Sequence, residues 1–255
     1  MEPAIRIVLQ ARMGSSRRPG KTLAPVAGKP LLERVIERLR AVRGHGGRSW
    51  QLLVATSTAA ADDAVEAESQ RLQVDCLRGS EHDVLSRYLA ATSDLHDQDV
   101  VVRATADNPL YCPLRTVRLV AEHLASSDVY TGILDLSALV PEALRVGALR
   151  RASARTDLND YCREHVTPYF RRESNLPGVR ILPPTWAGLD PTLRLTVDTQ
   201  ADLNRVDGVY STLIGLTGRD DPATWTLRQV YEVTRGLART AAPNASDIAN
   251  PAGAA

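Results

Sequence analysis

The sequence predicts an α/β fold with a mainly parallel central sheet, on three observations. Short β-branched runs alternate along the chain with segments whose apolar residues recur at helical spacing. Several of the strand-like runs end in small polar residues or aspartate, as strands do where they deliver a loop to the carboxyl edge of a sheet. At 255 residues the chain is also long enough to bury a substantial core. The alternation of strands and helices therefore implies parallel neighbours joined by right-handed crossovers.

The predicted elements begin with a buried strand at 5–9 and a helix at 30–42. Leu31, Val35 and Leu39 share one face of that helix, and Pro30 suits its first position. The further predicted strands are 50–56, 74–77, 99–105, 128–130 and 194–199. The further predicted helices are 62–72, 113–125, 200 to about 213, 227–237, and one after Ser80, which would cap it with Asp83 closing the capping box.

The loop at 10–22, directly after the first strand, is suited to bind an anion. Gly14 and Gly20 let the backbone approach a ligand closely. The loop also carries four cations, which are Arg12, Arg17, Arg18 and Lys21. Charge alone favours a solvated loop, but interleaving with glycine, serine and proline after a buried strand favours phosphate binding.

The same loop does not fit the P-loop of nucleoside triphosphatases. Five residues separate Gly14 from Gly20, where that pattern has four. A P-loop continues into a helix after its lysine, whereas Pro25, Gly28 and Pro30 follow Lys21 closely and prevent a continuous helix. We therefore interpret residues 10–22 as a longer, arginine-rich phosphate loop.

Residues 10–21, which read Gln-Ala-Arg-Met-Gly-Ser-Ser-Arg-Arg-Pro-Gly-Lys, are followed closely by Gly-Lys-Pro-Leu at 28–31. Together they resemble the signature loop of the cytidylyltransferases, in particular the group named after a spore-coat polysaccharide protein. Arg18 stands where that family usually has leucine.

Three later segments also resemble that family. They are Gly-Ser-Glu-His-Asp-Val-Leu-Ser-Arg at 79–87, Glu-His-Val-Thr-Pro-Tyr at 164–169 and Arg-Leu-Thr-Val-Asp-Thr at 194–199. The resemblance covers residues 5 to about 213. Ala138 stands where the family commonly has glycine, which suggests a different acceptor.

The resemblance implies a three-layer Rossmann-like nucleotidyltransferase fold and an enzyme of the EC 2.7.7 type. Such an enzyme transfers CMP from CTP to an anionic acceptor, a phosphonate, sugar phosphate or sugar acid, and releases pyrophosphate, here in biosynthesis of a polysaccharide or specialised metabolite. A homodimer is also implied. Two alternatives stay open: a nucleotidyltransferase that uses another nucleoside triphosphate with a sugar 1-phosphate, and a nucleotide-binding homologue that has lost catalysis.

The predicted site residues fall into four groups. Arg12, Arg17 and Lys21 are assigned as the catalytic residues, which hold the triphosphate during transfer of CMP. The rest of the nucleotide site is assigned to Gln10, Ala11, Gly14, Ser15, Thr56, Ser57, Arg78, Asp83 and Arg103. Mg²⁺ is the expected cofactor, because it takes few protein ligands and completes its shell with phosphate oxygens and water, and it is assigned to Asp107 and Asp198. The acceptor is assigned to Glu142, Glu164 and His165.

Four of these residues have structural alternatives that the sequence leaves open. Asp83 can cap a helix, and Asp107 can form an Asx turn before a proline. Asp198 can be an ordinary residue near a helix cap, and a single histidine such as His165 is often structural.

Composition excludes other classes of function. The formal net charge is +1 and aromatic residues make up 4% of the chain, so neither charge nor stacking residues favour nucleic acid. No apolar run is long enough for a membrane span, and the chain begins directly with a strand, so we expect a cytoplasmic protein without a membrane partner. Cys76, Cys112 and Cys162 lack zinc-site spacing and are expected to be reduced.

The whole of 1–240 is expected to form a single domain. Its donor site for CTP would lie mainly in 5–112, and its acceptor and dimerisation elements mainly in 128–215. Residues 241–255 are rich in alanine, proline, asparagine and glycine and are expected to be a disordered tail.

Overall fold

The structure is a computed structural model that describes residues 2–15, 17–43, 50–133, 138–172, 177–183 and 195–241. Its strands are β1 (Ile5–Gln10), β2 (Pro25–Val26), β3 (Lys29–Pro30), β4 (Trp50–Ser57), β5 (Asp75–Gly79), β6 (Val100–Thr105), β7 (Tyr130–Ile133), β8 (Glu142–Arg145) and β9 (Val179–Leu182). Its helices are α1 (Leu31–Arg43), α2 (Asp63–Arg71), α3 (Val84–Ala90), α4 (Pro113–Leu124), α5 (Val146–Ser153), α6 (Asp160–His165), α7 (Pro168–Arg172), α8 (Gln200–Thr217) and α9 (Leu227–Ala241).

The central sheet has seven strands in the order β5-β4-β1-β6-β8-β7-β9, and β2 and β3 form a separate small hairpin. Strands β5, β4, β1 and β6 are parallel, whereas β8 runs antiparallel to β6 and β7. Gln10 lies beside Ala55 on one side and Thr105 on the other. The carboxyl ends of β1, β4 and β6 therefore meet at one edge, and the predicted mainly parallel α/β sheet is confirmed.

Helices cover both faces of this sheet. Successive residues of β1 point to opposite faces, so Ile7 and Leu9 join one apolar cluster, with α1, α4, α8 and α9, and Val8 joins the other, with α3, α5 and α7. The result is the three-layer architecture that the family resemblance implies. None of the described helices is long and apolar enough to cross a membrane.

The strand predicted at 194–199 is wrong over its described part, because residues 195–199 form no strand. The Val197 N–H donates to the Asp107 carbonyl at 2.8 Å, which is a single bond to a loop and not a ladder. The N–H groups of Asp198 and Thr199 donate to the carboxylate of Asp202, which forms a capping box with the α8 N-cap Thr199, and are no longer available to a neighbouring strand.

The prediction that Ser80 caps α3 is also wrong. Asp83 is the N-cap, and its carboxylate accepts from the Ser86 N–H at 3.0 Å. Ser80 lies one turn earlier, and its hydroxyl accepts from the Asp83 N–H. The predicted tail lies outside the described residues except for Ala241, which ends α9.

A buried histidine in α4 makes stability depend on pH. His123 is fully buried, its Nδ1 lies 2.9 Å from the Thr131 hydroxyl, and its Nε2 has no partner among the described residues. Burial lowers the pKa of His123 from 6.5 to about 4. Below pH 6.5 the unfolded chain therefore takes up a proton that the folded chain excludes, and the folded state loses stability as pH falls towards 4.

We predict that wild-type protein loses about 2 kcal/mol more unfolding free energy than His123→Gln between pH 7.5 and pH 5. Glutamine can still hydrogen-bond to Thr131 but does not titrate in this range. Urea denaturation at both pH values measures the difference. An equal loss in the two proteins would show that His123 is not the titrating group.

Candidate active site

A cavity of about 400 Å³ opens at the carboxyl edge of the sheet, beside the ends of β1 and β6. It contains most of the residues that the sequence assigns to the triphosphate, the metal and the acceptor. Its lining consists of Gln10, Ala11, Arg12, Ser15, Arg17, Lys21, Thr22, Arg103, Thr105, Ala106, Asp107, Glu164 and His165. Residues that lie more than 150 positions apart in the chain thus meet at one place.

The phosphate loop is held in shape by its own backbone. Gly20 has φ 75°, a left-handed conformation that favours glycine, and its N–H donates to the Met13 carbonyl at 3.0 Å. The Thr22 hydroxyl closes the loop by donating to the Arg12 carbonyl at 2.6 Å. The lysine that follows Gly20 is thereby turned inward.

Asp62 ties this loop to the end of β4, a role that the sequence did not suggest. Its carboxylate is buried and accepts from the Met13 N–H at 2.6 Å, from the Ser57 N–H at 3.1 Å and from the Ser57 hydroxyl. In the sequence Asp62 is visible only as the start of a helix. No local pattern shows that its oxygens bind a loop 49 residues away.

The ammonium of Lys21 lies between two carboxylates. Lys21 Nζ is 3.1 Å from Asp107 Oδ2, 3.1 Å from Asp198 Oδ1 and 2.7 Å from the Val197 carbonyl. The lysine is only 8% exposed, so its three N–H donors are used inside the protein. Arg17 Nη2 also reaches Asp198 Oδ1, at 2.8 Å.

Both aspartates are oriented by their neighbours. The Thr105 hydroxyl donates to Asp107 Oδ1 at 2.7 Å, which leaves Oδ2 towards the lysine. Asp198 directly precedes the capping box that Thr199 and Asp202 form at the start of α8. Their positions are therefore fixed by a strand end and by a helix cap, respectively.

This donor set suits a hard divalent cation such as Mg²⁺ or Mn²⁺. Two carboxylate oxygens converge on one point, and no three metal-ligating side chains cluster anywhere in the described ranges. A cation held by Asp107 and Asp198 would take its other ligands from phosphate and water, as Mg²⁺ usually does.

Several predicted nucleotide residues lie outside the cavity lining. Arg78 donates to the Ser57 carbonyl at 2.9 Å and pairs with Asp63 and Glu66, so it braces the end of β4. Thr56 is fully buried, and its hydroxyl has no partner in the described part of the chain. Gly14 is exposed on the phosphate loop, and the hydroxyl of Ser57 donates to Asp62. Asp83 caps α3 and also pairs with Arg163 at 3.3 Å. Their contacts with a nucleotide stay predictions.

A second cavity, of about 260 Å³, adjoins the first and shares Arg103, Thr105, Asp107 and His165 with it. It adds Asn108, Tyr111, Glu142, Tyr161, Thr167, Pro168, Arg171 and Thr196. The two cavities therefore meet at Asp107, one of the two aspartates that contact Lys21.

His165 lies at this junction, and its neighbour Glu164 lines the first cavity only. The His165 ring packs against Tyr161, with the ring centroids 4.4 Å apart, and Glu164 pairs with Arg12 at 3.0 Å. Burial lowers the pKa of His165, and the positive charges of Arg103 and Arg12 lower it further. The negative charge of Glu164 raises it, but the net pKa is lowered. His165 is therefore neutral at pH 7. Its acceptor role, like those of Glu164 and Glu142, stays a prediction.

A family model described as cytidylyltransferase matches residues 6–202. The chain belongs to the cytidylyltransferase family. It is therefore a nucleotidyltransferase, and the resemblance seen in the motifs is confirmed.

Two curated relatives agree with this assignment. The chain is 32% identical to the spore coat polysaccharide biosynthesis protein SpsF of Bacillus subtilis, over 81% of this chain and 86% of that protein. It is 34% identical to a 3-deoxy-manno-octulosonate cytidylyltransferase of Idiomarina loihiensis, over 47% of this chain and 45% of that protein.

Solved structures share the fold at low sequence identity. A cytidylyltransferase from Leptospira borgpetersenii has a TM-score of 0.77 at 22% identity, covering 94% of this chain and 96% of that one. A CMP:2-keto-3-deoxy-manno-octonic acid synthetase complexed with CTP has a TM-score of 0.61 at 18% identity, covering 82% and 99%. A manganese complex of a Mycobacterium tuberculosis protein has a TM-score of 0.56 at 20% identity, covering 80% and 97%.

We predict that Asp62→Ala lowers the unfolding free energy by roughly 2–4 kcal/mol, because three donors around a buried carboxylate lose their acceptor. Asp63→Ala is the matched control. Its carboxylate is 67% exposed and pairs only at the surface with Arg78, so its loss costs about 1 kcal/mol or less. Urea denaturation measures both, and equal losses would contradict the role given to Asp62.

Proposed function

We propose that this cytidylyltransferase transfers CMP from CTP to a sugar acid and releases pyrophosphate. The observation that carries the proposal is the cluster of Lys21, Asp107 and Asp198 beneath an arginine-bearing phosphate loop. Nucleotidyl transfer needs few covalent steps from the protein, because the α-phosphorus must be presented in line and the charge of the leaving pyrophosphate neutralised. Cations and carboxylates at one sheet edge meet that need.

The triphosphate would be bound by Arg12, Arg17 and Lys21. In the structure Arg12 pairs with Glu164 and Arg17 pairs with Asp198. Lys21 pairs with both Asp107 and Asp198. A guanidinium can bridge two phosphate oxygens, whereas the ammonium acts as a point charge. Triphosphate binding therefore exchanges carboxylate partners for phosphate partners, and the cations need not be brought in from solvent.

The divalent cation would be held by Asp107 and Asp198. We propose that the Lys21 ammonium, which lies between these carboxylates, competes with a divalent cation for them and would be released towards the phosphates if such a cation were bound. A bound cation neutralises phosphate charge and makes the α-phosphorus more electrophilic. Mg²⁺ as the physiological ion is part of the proposal, which the manganese complex of a structural neighbour supports.

The attacking oxygen of the acceptor forms a bond to the α-phosphorus while the bond to the β-phosphate oxygen breaks, and pyrophosphate carries away the electron pair. A sugar hydroxyl must also lose its proton. His165 is neutral and lines both cavities, so its ring nitrogen is positioned to accept that proton. An ionised phosphate or phosphonate acceptor would need no base.

The choice of a sugar acid is supported by the names of two relatives. One curated relative acts on 3-deoxy-manno-octulosonate, and a structural neighbour is a synthetase for a related keto acid. The similarity to SpsF supports a role in polysaccharide biosynthesis. A homodimer and a cytoplasmic location stay predictions.

The test is pyrophosphate release with Mg²⁺, each of the four nucleoside triphosphates, and a panel of sugar acids, sugar phosphates and phosphonates. We predict release with CTP and a sugar acid only. Asp107→Asn should lower the rate about 100-fold or more, because one of two carboxylates for the cation loses its charge.

Asp157→Asn is the control for this variant, because its carboxylate is 65% exposed and lies outside both cavities. It should keep the wild-type rate. A preference for another nucleotide with a sugar 1-phosphate, or full activity in Asp107→Asn, would contradict the proposal.

A further inference from the structure

The second cavity contains a buried ionic cluster around Glu142, which the family resemblance assigned to the acceptor, and around Arg171, which no sequence motif indicated. At its centre is Glu142, whose side chain is 2% exposed. Its Oε2 accepts from Arg103 Nη1 at 2.8 Å and from the Thr167 hydroxyl at 3.1 Å. Its Oε1 accepts from the Tyr130 hydroxyl at 2.6 Å and from Arg171 Nε at 2.8 Å, and Arg171 Nη2 donates to the same oxygen.

Glu142 is thus saturated with protein donors. Burial alone would raise the pKa of Glu142, but Arg103 and Arg171 together hold it below its usual value, so the carboxylate is charged. Glu142 is negatively charged and its oxygens are already fully hydrogen-bonded, so it does not bind the anionic group of the acceptor substrate. Its effect is to fix the positions of two guanidinium groups.

The sequence brings these groups together through strand register. Arg103 in β6 and Glu142 in the antiparallel β8 are directly opposite each other. Arg171 comes from the short helix α7, directly after the segment that holds Thr167. The ring of Tyr130 in β7 stacks on the ring of Phe170, with centroids 5.5 Å apart. Phe170 directly precedes Arg171, so this stacking helps to hold Arg171 in place.

The cluster carries one more positive than negative charge. Two guanidinium groups share one carboxylate, and Arg103 Nε is buried with no partner among the described residues. Arg171 binds Glu142 through Nε and Nη2, which among the described residues leaves its Nη1 edge for another acceptor, and its side chain is 42% exposed. Asp107, which also lines the cavity, is paired with Lys21, so one monoanionic group at Arg171 would balance the charge of the Glu142 cluster.

The rest of the lining is suited to a polyhydroxylated molecule. Asn108, Thr196 and the Tyr111 hydroxyl form a connected hydrogen-bond network at the wall of the cavity. Tyr161, which is 47% exposed as a residue and packs against His165, lines the cavity with an aromatic ring on which the C–H face of a sugar can pack.

From this geometry we infer that Arg171 is the residue that selects the acceptor by its carboxylate, with Arg103 as its partner and Glu142 as the group that positions both. The inference rests on the proposed function, because it takes the second cavity as the acceptor site. A guanidinium matches the planar carboxylate by two parallel hydrogen bonds, which gives specificity that a lysine cannot supply.

The experiment compares acids with their own carboxamides. 3-Deoxy-manno-octulosonate, gluconate and the carboxamide of each are titrated calorimetrically into protein saturated with a non-hydrolysable CTP analogue. Glucose 1-phosphate and a simple alkylphosphonate complete the panel. The affinity for the CTP analogue is measured separately for every variant.

We predict that wild-type protein binds at least one acid about tenfold or more tightly than its carboxamide, and that Arg171→Met removes this preference. Arg171→Lys keeps a cation beside Glu142 and should fold normally, yet recover only a small part of the preference. Arg155→Met, which removes an arginine of equal exposure from outside the cavity, should keep all of it. The CTP analogue should bind all four proteins within about threefold, since Arg171 does not line the first cavity.

Two failures are distinguishable. If wild-type protein does not bind the CTP analogue, the proposed function fails, and this inference with it. If the analogue binds but neither acid is preferred over its carboxamide, or if Arg171→Met keeps the preference, the assignment of Arg171 is overturned while the nucleotide site stands. If glucose 1-phosphate or the alkylphosphonate binds in a way that depends on Arg171 while neither sugar acid binds, the inference that Arg171 recognises a carboxylate is wrong.

Discussion

The Lys21 ammonium, held between the carboxylates of Asp107 and Asp198, is the interaction on which the rest of the site depends. It joins a loop near the start of the chain to residues 86 and 177 positions further on. Charges of this kind are costly to bury unless they are paired and hydrogen-bonded, and here each of the three groups satisfies the others. The pairing also brings both carboxylates to one point, which an uncompensated pair of like charges would resist.

Apart from Arg17, which pairs with Asp198, the surrounding structure acts on these three charges by positioning the segments that carry them. Parallel pairing puts the ends of β1, β4 and β6 at one edge, Asp62 fastens the phosphate loop there, and the α8 capping box fixes the segment before it. The link between the Val197 N–H and the Asp107 carbonyl joins the two aspartate loops directly. The geometry of the site thus depends on side chains such as Asp62 and Asp202, which hold the backbone of the loops that carry the charges.

The two cavities differ in how their charges are arranged. In the first, Arg12, Arg17 and Lys21 pair with carboxylates, and in the proposed function phosphate oxygens would replace those carboxylates as their partners. In the second, Arg103 and Arg171 are held by the permanently buried Glu142. An exchangeable set suits a triphosphate that arrives with its metal ion, and a fixed set suits discrimination among small acceptors.

The sequence predicted the features that depend on local pattern. The β-branched runs located β1 and β6, and the glycine-rich, cationic loop with its family motifs located Lys21, Asp107 and Asp198 before their meeting could be seen. Periodicity failed at 195–199, where an apolar run is buried as a loop because Asp202 uses the backbone donors that a strand would need. Asp62 and Arg171 were missed because they contact residues far away in the sequence. Residue spacing within one segment does not show which strands become neighbours in the sheet.

The measurement that tests this account most directly is the Mn²⁺ affinity of the nucleotide-free protein, followed by electron paramagnetic resonance, in wild type, Lys21→Met and Arg12→Met. If Lys21 occupies the place of the divalent cation, its removal leaves Asp107 and Asp198 without the ammonium between them and should raise Mn²⁺ affinity roughly tenfold or more. Arg12→Met, which frees Glu164 instead, should leave it unchanged. Unchanged or weaker Mn²⁺ binding in folded Lys21→Met would contradict the claim that the ammonium and the metal ion share one site.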